Sequence, residues 1–154
     1  VLSIAGFLLI VLLGAIFGAA LPAAITAISG GGLRRLSGGA HADTPQRCLI
    51  YSSVGYGLVA AAVFHLTRLF IIYDWHLIIA LVFSLLVVAV YAPVDCPAKR
   101  IKSPILRKRL KAGAICFVLV IMILVLILDA SLIKIFLTLG VLLQTLTLFP
   151  KFNK

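Results

Sequence analysis

The sequence predicts an all-α protein, a polytopic bundle of transmembrane helices forming a single membrane domain over residues 1–154. Three observations predict it. Of the 154 residues, 64% are apolar and 12% charged, with a mean hydropathy of +1.26, whereas a soluble domain is about half apolar and about a quarter charged. The apolar residues fall in blocks long enough for helices that cross a bilayer, which takes about 20 residues. None of these blocks carries the two-residue alternation of a membrane barrel strand.

The first block, Val1 to Ile28, reads as one span. The chain begins inside this run without an initiator methionine, so an N-terminal part is expected to be missing; the run is too long for the core of a signal peptide. Within it, Gly14-Ala15-Ile16-Phe17-Gly18 is a Gly-x-x-x-Gly pattern. Such a pattern permits close helix packing, between two copies in a homodimer or within one chain. A Gly-rich polar connection, residues 29–47, follows. The later blocks are Cys48 to Thr67, Trp75 to Tyr91, Ala112 to Leu128 and Ser131 to Leu148, which makes about five spans.

A net charge of +10 invites a nucleic-acid reading, but its distribution excludes one. The 29–47 connection carries Arg34, Arg35 and Arg47 against Asp43, and the next carries Arg68 against Asp74. Residues 92–111 carry Lys99, Arg100, Lys102, Arg107, Lys108, Arg109 and Lys111 against Asp95. The fourth connection has Asp129 and Lys134, and the tail Lys151 and Lys154. Positive excess at every second connection is the positive-inside pattern of a multi-pass cell-membrane protein. It puts the 29–47 connection, the basic loop and the C-terminus on the cytoplasmic side, Val1 on the outer side, and anionic lipid beside the basic loop.

Chemistry concentrates in the first connection. Gly38-Gly39-Ala40-His41-Ala42-Asp43-Thr44-Pro45-Gln46-Arg47-Cys48 brings an imidazole and a thiol together, the minimum for a thiolate nucleophile and its base. In a continuous helix these two would stand about 10 Å apart. Gly38 and Gly39 release the backbone before His41, Asp43 or Thr44 can cap a new helix, and Pro45 suits its first turn. Cys48 then falls in that first turn, where the helix dipole and a neighbouring imidazolium favour thiolate while desolvation opposes it. On a cytoplasmic face the thiol stays reduced. The plainer alternative is an interfacial histidine and a small apolar residue opening a span. Two residues make no zinc site, which takes three or four ligands, and no cofactor is expected. His65 and His76 belong to the outer connection, Cys116 reads as a buried apolar residue, and Cys96 as a loop thiol.

At three places in order the chain resembles the accessory gene regulator B (AgrB) family, membrane peptidases of Gram-positive quorum sensing. These are Arg34-Arg35 with Gly39-Ala40-His41-Ala42 and Cys48; Tyr91-Ala92-Pro93 leading to Ile101-Lys102-Ser103-Pro104; and Leu143-Gln144-Thr145-Leu146-Thr147-Leu148-Phe149-Pro150. The family's usual six spans, against five here, fit the missing start. The resemblance implies an endopeptidase that matures an AgrD-like precursor peptide into a cyclic thiolactone. It also implies that His41 and Cys48 form the catalytic pair, that Arg34 and Gly39 support activity, and that Asp43 has no assigned role. Precursors of the family have an acidic tail, so the basic loop could gather substrate as well as lipid. The competing class is a non-enzymatic transporter or export subunit, suggested by Gln144, Thr145 and Thr147 in the last span and by His65 and Arg68 at the end of the second.

Overall fold

A computed structural model describes residues 2–39, 44–94 and 103–150. Among them are six helices: α1 (Leu2–Ile16), α2 (Ala20–Ser37), α3 (Pro45–Leu66), α4 (Asp74–Tyr91), α5 (Pro104–Ile127) and α6 (Ser131–Leu146). The described residues hold no strand, only an isolated parallel bridge between Gly38 and Val94.

The first apolar block is two helices where one span was expected. Pro22 has no N–H to donate back along a continuous helix, so the chain turns at Phe17-Gly18-Ala19, with Gly18 at φ 69°. Ala19 N–H donates to Gly14 O at 2.7 Å, and His65 Nε2 lies 3.0 Å from Phe17 O. A Cβ on Gly14 would collide with Ala23 and lie 2.8 Å from Ala19 O. Gly14 therefore lets α2 fold back against α1 within one chain, and Gly18 is in the turn.

The helix directions follow from two contacts. Ser53 Oγ donates to Gly6 O at 3.3 Å near the starts of α3 and α1, and His65 meets Phe17 at their ends, so these two helices run the same way. The helices then alternate, and one end of the bundle gathers the starts of α1, α3 and α5 with the ends of α2, α4 and α6. We call this the hinge end. The start of α1 lies here, beside the start of α3, and not at the opposite end where a single first span would have left it.

Two further boundaries shift. The connection expected from residue 29 begins only after Ser37, so Arg34 and Arg35 occupy the last turn of α2, where cations oppose the negative end of the dipole. Gly30 keeps α2 helical because the space is needed. A Cβ there would strike the Tyr56 ring and lie 2.9 Å from Gly140 O, while one on Gly140 would strike Ser29 Oγ and Thr26 O. This seam of small residues brings α2 and α6 into backbone contact. In α5, Ser103 Oγ accepts the Leu106 N–H at 3.4 Å and Pro104 opens the helix. Arg107, Lys108, Arg109 and Lys111 therefore stand on a helix that begins eight residues before the expected span.

Three stretches are long and apolar enough to cross a bilayer: Leu49–Leu66, Asp74–Tyr91 and Pro104–Ile127. α1 and α6 are apolar but shorter. The outer surface is apolar, with Leu8, Leu12, Ile79, Leu86, Ile123 and Leu126 all exposed, which suits a lipid environment rather than water. Cys116 belongs to this outer face. The buried stripe of α5 is Ala114, Val118, Ile121 and Val125, and Cys116 stands off it, so the expectation of a buried thiol is corrected. Inside, Phe136, Leu33, Leu81 and Val141 fill the core. Some buried hydroxyls bond their own helices, as Thr26 Oγ1 does to Pro22 O (2.9 Å) and Thr145 Oγ1 to Val141 O (2.8 Å).

Candidate functional site at the hinge end

α2 stops because Gly38 and Gly39 adopt φ 69° and 135°, conformations that side chains other than hydrogen resist. Gly38 N–H still donates to Arg34 O at 3.0 Å, and Val94 N–H donates to Ser37 O at 2.9 Å, fastening the segment after α4 alongside. From the far side of the hinge, Gln144 Nε2 donates to Gly38 O at 2.7 Å. The Tyr56 hydroxyl donates to Gln144 Oε1 at 3.3 Å, so the fully buried Gln144 amide uses both its functions. Thr147 Oγ1 donates to Gln144 O at 2.7 Å. A Cβ on Gly39 would stand 2.5 Å from Thr147 Oγ1 and 2.8 Å from Gln144 Nε2. Gly39, named from sequence, is thus required by its φ and by the α6 side chains packed on it.

Arg34 sits one turn before the hinge, in the last turn of α2. On the other strand of the connection, Thr44 caps α3: its Oγ1 accepts the Arg47 N–H at 3.3 Å, and Pro45 is the first helical residue. Cys48 is the fourth, in the first turn as the sequence predicts. His41 and Asp43 lie outside the described residues, as do Lys99, Arg100 and Lys102. The other four cations of the basic run divide. Arg107, Lys108 and Lys111 line a groove of about 330 Å³ with Val90, Tyr91, Ala92 and Pro93, while Arg109 is exposed away from it. The groove therefore adjoins Val94, the residue fastened to the hinge.

The structure brings Arg34, Gly39 and the helix start that carries Cys48 to one end of the bundle. It adds two residues that sequence reasoning missed. Gln144 was noticed as in-membrane polarity and as part of the resemblance at residues 143–150, without a role of its own, and its hydrogen-bond partner is 106 residues away. Tyr56 carries no sequence signal that separates it from other aromatic residues in a span. Among the described residues, no three of His, Cys, Asp and Glu come together as a metal-binding group.

An apolar outer surface, a polar clamp at one end and a cation-rich rim beside it define, among the described residues, an all-helical integral-membrane protein. The sequence pattern of accessory gene regulator B, AgrB, matches residues 1–148, and the chain belongs to that family. It is 31% identical over 109 residues to AgrB-like protein 2 of Clostridium perfringens (strain 13 / Type A), covering 69% of this chain and 51% of the relative. It is 32% identical over 107 residues to an AgrB-like protein of Clostridium perfringens (strain SM101 / Type A), covering 68% and 50%. The chain spans about half the length of the curated relatives it matches. No solved structure matches it.

Proposed function

We propose that this chain is a membrane cysteine endopeptidase that cleaves an AgrD-like precursor through an acyl-enzyme on Cys48, with His41 as its base. One observation carries the reading. The Gly38–Gly39 hinge, held by Gln144 and followed in sequence by His41, lies at the same end of the bundle as the Thr44-capped start of α3, whose fourth residue is Cys48. The AgrB family membership supplies the substrate class.

In this mechanism His41 takes the Cys48 proton and the thiolate attacks a precursor carbonyl. His41 then returns the proton to the leaving amine as the C-terminal segment departs. The acyl group remains on Cys48 as a thioester. A thiol within the precursor attacks it, forming a thiolactone and freeing Cys48. That exchange is close to isoenergetic and needs no nucleotide, whereas the preceding cleavage is uphill and is driven by removal of a product. Exclusion of water favours cyclisation over hydrolysis. Arg34 supports the tetrahedral intermediate or holds a precursor carboxylate, and backbone N–H groups at the start of α3 serve as oxyanion donors. The hinge end faces the cytoplasm, where its cations meet anionic lipid and the acidic precursor tail.

The polar residues that motivate a transporter reading are taken up in local bonds: Gln144 and Thr145 as described, His65 with Phe17, and Arg68 over the Phe64 ring at 4.8 Å. The test compares wild type, Cys48→Ala and His41→Ala in lipid vesicles with an AgrD-like precursor, read by mass spectrometry. Trimming by wild type alone, with an adduct on Cys48, is the expected result. A Cys48→Ala protein that trims the peptide as well as wild type overturns the reading.

A further inference from the structure

We infer that Gln144 and Tyr56 are positioning residues for this site: they tie the hinge carbonyl of Gly38, three residues before His41 in sequence, to α3, the helix that carries Cys48. The inference rests on the peptidase reading and gives a role in it to two residues to which the sequence assigned none.

Three helices meet at one amide. Gln144 belongs to α6, the carbonyl it binds belongs to the hinge after α2, and the hydroxyl that binds it belongs to α3. Tyr56 is eight residues along α3 from Cys48, about 12 Å of helical rise. Gly38 precedes His41 by three residues. The Gln144 side chain is therefore the link between the backbone leading to one catalytic candidate and the helix carrying the other. A primary amide suits this task because it donates and accepts at once. An apolar residue of the same size would fill the space but leave Gly38 O with only the Ser37 hydroxyl at 3.2 Å and the Tyr56 hydroxyl without its Gln144 acceptor, in a buried setting where lost hydrogen bonds are costly.

Packing makes the link stiff. Gly39 is walled by Gln144 Nε2 and Thr147 Oγ1, and a Cβ on Gly38 would strike Val94 O, so the hinge has contacts on both flanks. The clamp thus selects one path out of α2. A general base must lie within hydrogen-bond reach of the proton it takes, and a displacement of about 1 Å costs on the order of 100-fold in rate. A side chain that never touches substrate can therefore govern turnover.

The decisive experiment uses the full protein in vesicles with its precursor and compares wild type, Gln144→Met, Tyr56→Phe, Thr138→Val and His41→Ala. Turnover is measured per folded enzyme, together with the rate at which iodoacetamide alkylates Cys48, located by peptide mapping and compared with wild type. Thr138→Val is the control, since it removes a buried α6 hydroxyl that has no hydrogen-bond partner. We expect Gln144→Met to lower kcat on the order of 100-fold with KM little changed. Cys48 alkylation should then slow to the rate seen in His41→Ala. Tyr56→Phe should lower kcat by about fivefold, the worth of one hydrogen bond, and add nothing to Gln144→Met. A Gln144→Met protein with lowered melting temperature but unchanged kcat and Cys48 alkylation would make the clamp merely structural and overturn the inference. Should Gln144→Met fail to fold, Tyr56→Phe decides: wild-type kcat and alkylation overturn it. Processing that survives Cys48→Ala removes the peptidase reading itself, an outcome separate from any result at Gln144.

Discussion

The two ends of the bundle use their polar groups differently. At the far end, Lys134 Nζ meets Asp74 Oδ2 at 2.8 Å and Arg68 lies over the Phe64 ring, with His65 Nε2 against Phe17 O at the α1–α2 turn as a side chain set on a connection's backbone. At the hinge end, Gln144, Tyr56, Thr44 and Ser103 direct their hydrogen bonds toward backbone at helix termini or toward each other, and the cations stand in excess. Side-chain pairing fastens helices; side chains bonded to backbone fix the path of a connection. The first arrangement is what a tether needs, and the second is what a site needs when its reacting groups lie on a loop and on the first turn of a helix.

Placing a side chain at the hinge breaks that contrast most sharply. Gly39→Val asks a β-branched residue to hold φ 135° against Thr147 and Gln144. Backbone strain alone is about 1–3 kcal/mol. We expect precursor processing to fall at least about 100-fold, with the helix content kept, as circular dichroism in detergent would report. Near-wild-type turnover in Gly39→Val would show that the path out of α2 is unimportant.

The far end yields an asymmetric result. Asp74 is more than half exposed whereas Lys134 is buried, so losing either partner is not equivalent. Asp74→Asn leaves a buried ammonium without its counter-charge and should destabilise by about 1–3 kcal/mol, below the usual range for a fully buried pair because water reaches the carboxylate. Lys134→Met should cost less than Asp74→Asn, because a solvated carboxylate is left behind and an apolar residue fills the space. Neither should change kcat per folded enzyme. Thermal unfolding in detergent and a turnover assay check both, and a loss of kcat in Asp74→Asn would erase the distinction between the two ends.

How much of this was visible in the sequence differs by element. α3, α4 and the membrane part of α5 are uninterrupted apolar runs, so composition alone locates them. The start of α3 was also legible, because Thr44-Pro45 is a local cap that needs nothing from the rest of the chain. Val1–Ile28 misled because a hydropathy block registers apolar content and passes over Gly18 and Pro22, whose effect is conformational. Arg34 and Arg35 looked like loop charges because charge marks the membrane edge whether the backbone there is helical or not. The Gln144–Gly38 bond was out of reach for a different reason: its partners are brought together only when α6 packs on α2 through Gly140 and Gly30.

Thr44→Ala probes the other strand of the connection. It removes one cap hydrogen bond at 3.3 Å on an exposed residue, and caps are worth about 1 kcal/mol. We expect fraying of the first turn of α3 and a fall in Cys48 alkylation and turnover of about fivefold, with Thr44→Ser restoring both. A cap that served stability alone would lower the unfolding temperature and leave the Cys48 alkylation rate untouched.

The smallest effect belongs to the groove cations. Arg107, Lys108 and Lys111 stand at the rim, and Arg107 and Lys108 are exposed, so their attraction for an approaching anion is one that salt screens. The triple variant Arg107→Gln, Lys108→Gln, Lys111→Gln should raise KM for the precursor a fewfold in vesicles of anionic lipid at low salt, with kcat unchanged. The difference should vanish above about 0.5 M salt, where the Debye length is under about 5 Å. Because the groove adjoins Val94 and Val94 is bonded to Ser37, a second outcome is informative. If kcat falls and the fall persists at high salt, these cations act through the hinge and not by gathering substrate. The groove would then belong to the same positioning apparatus as Gln144.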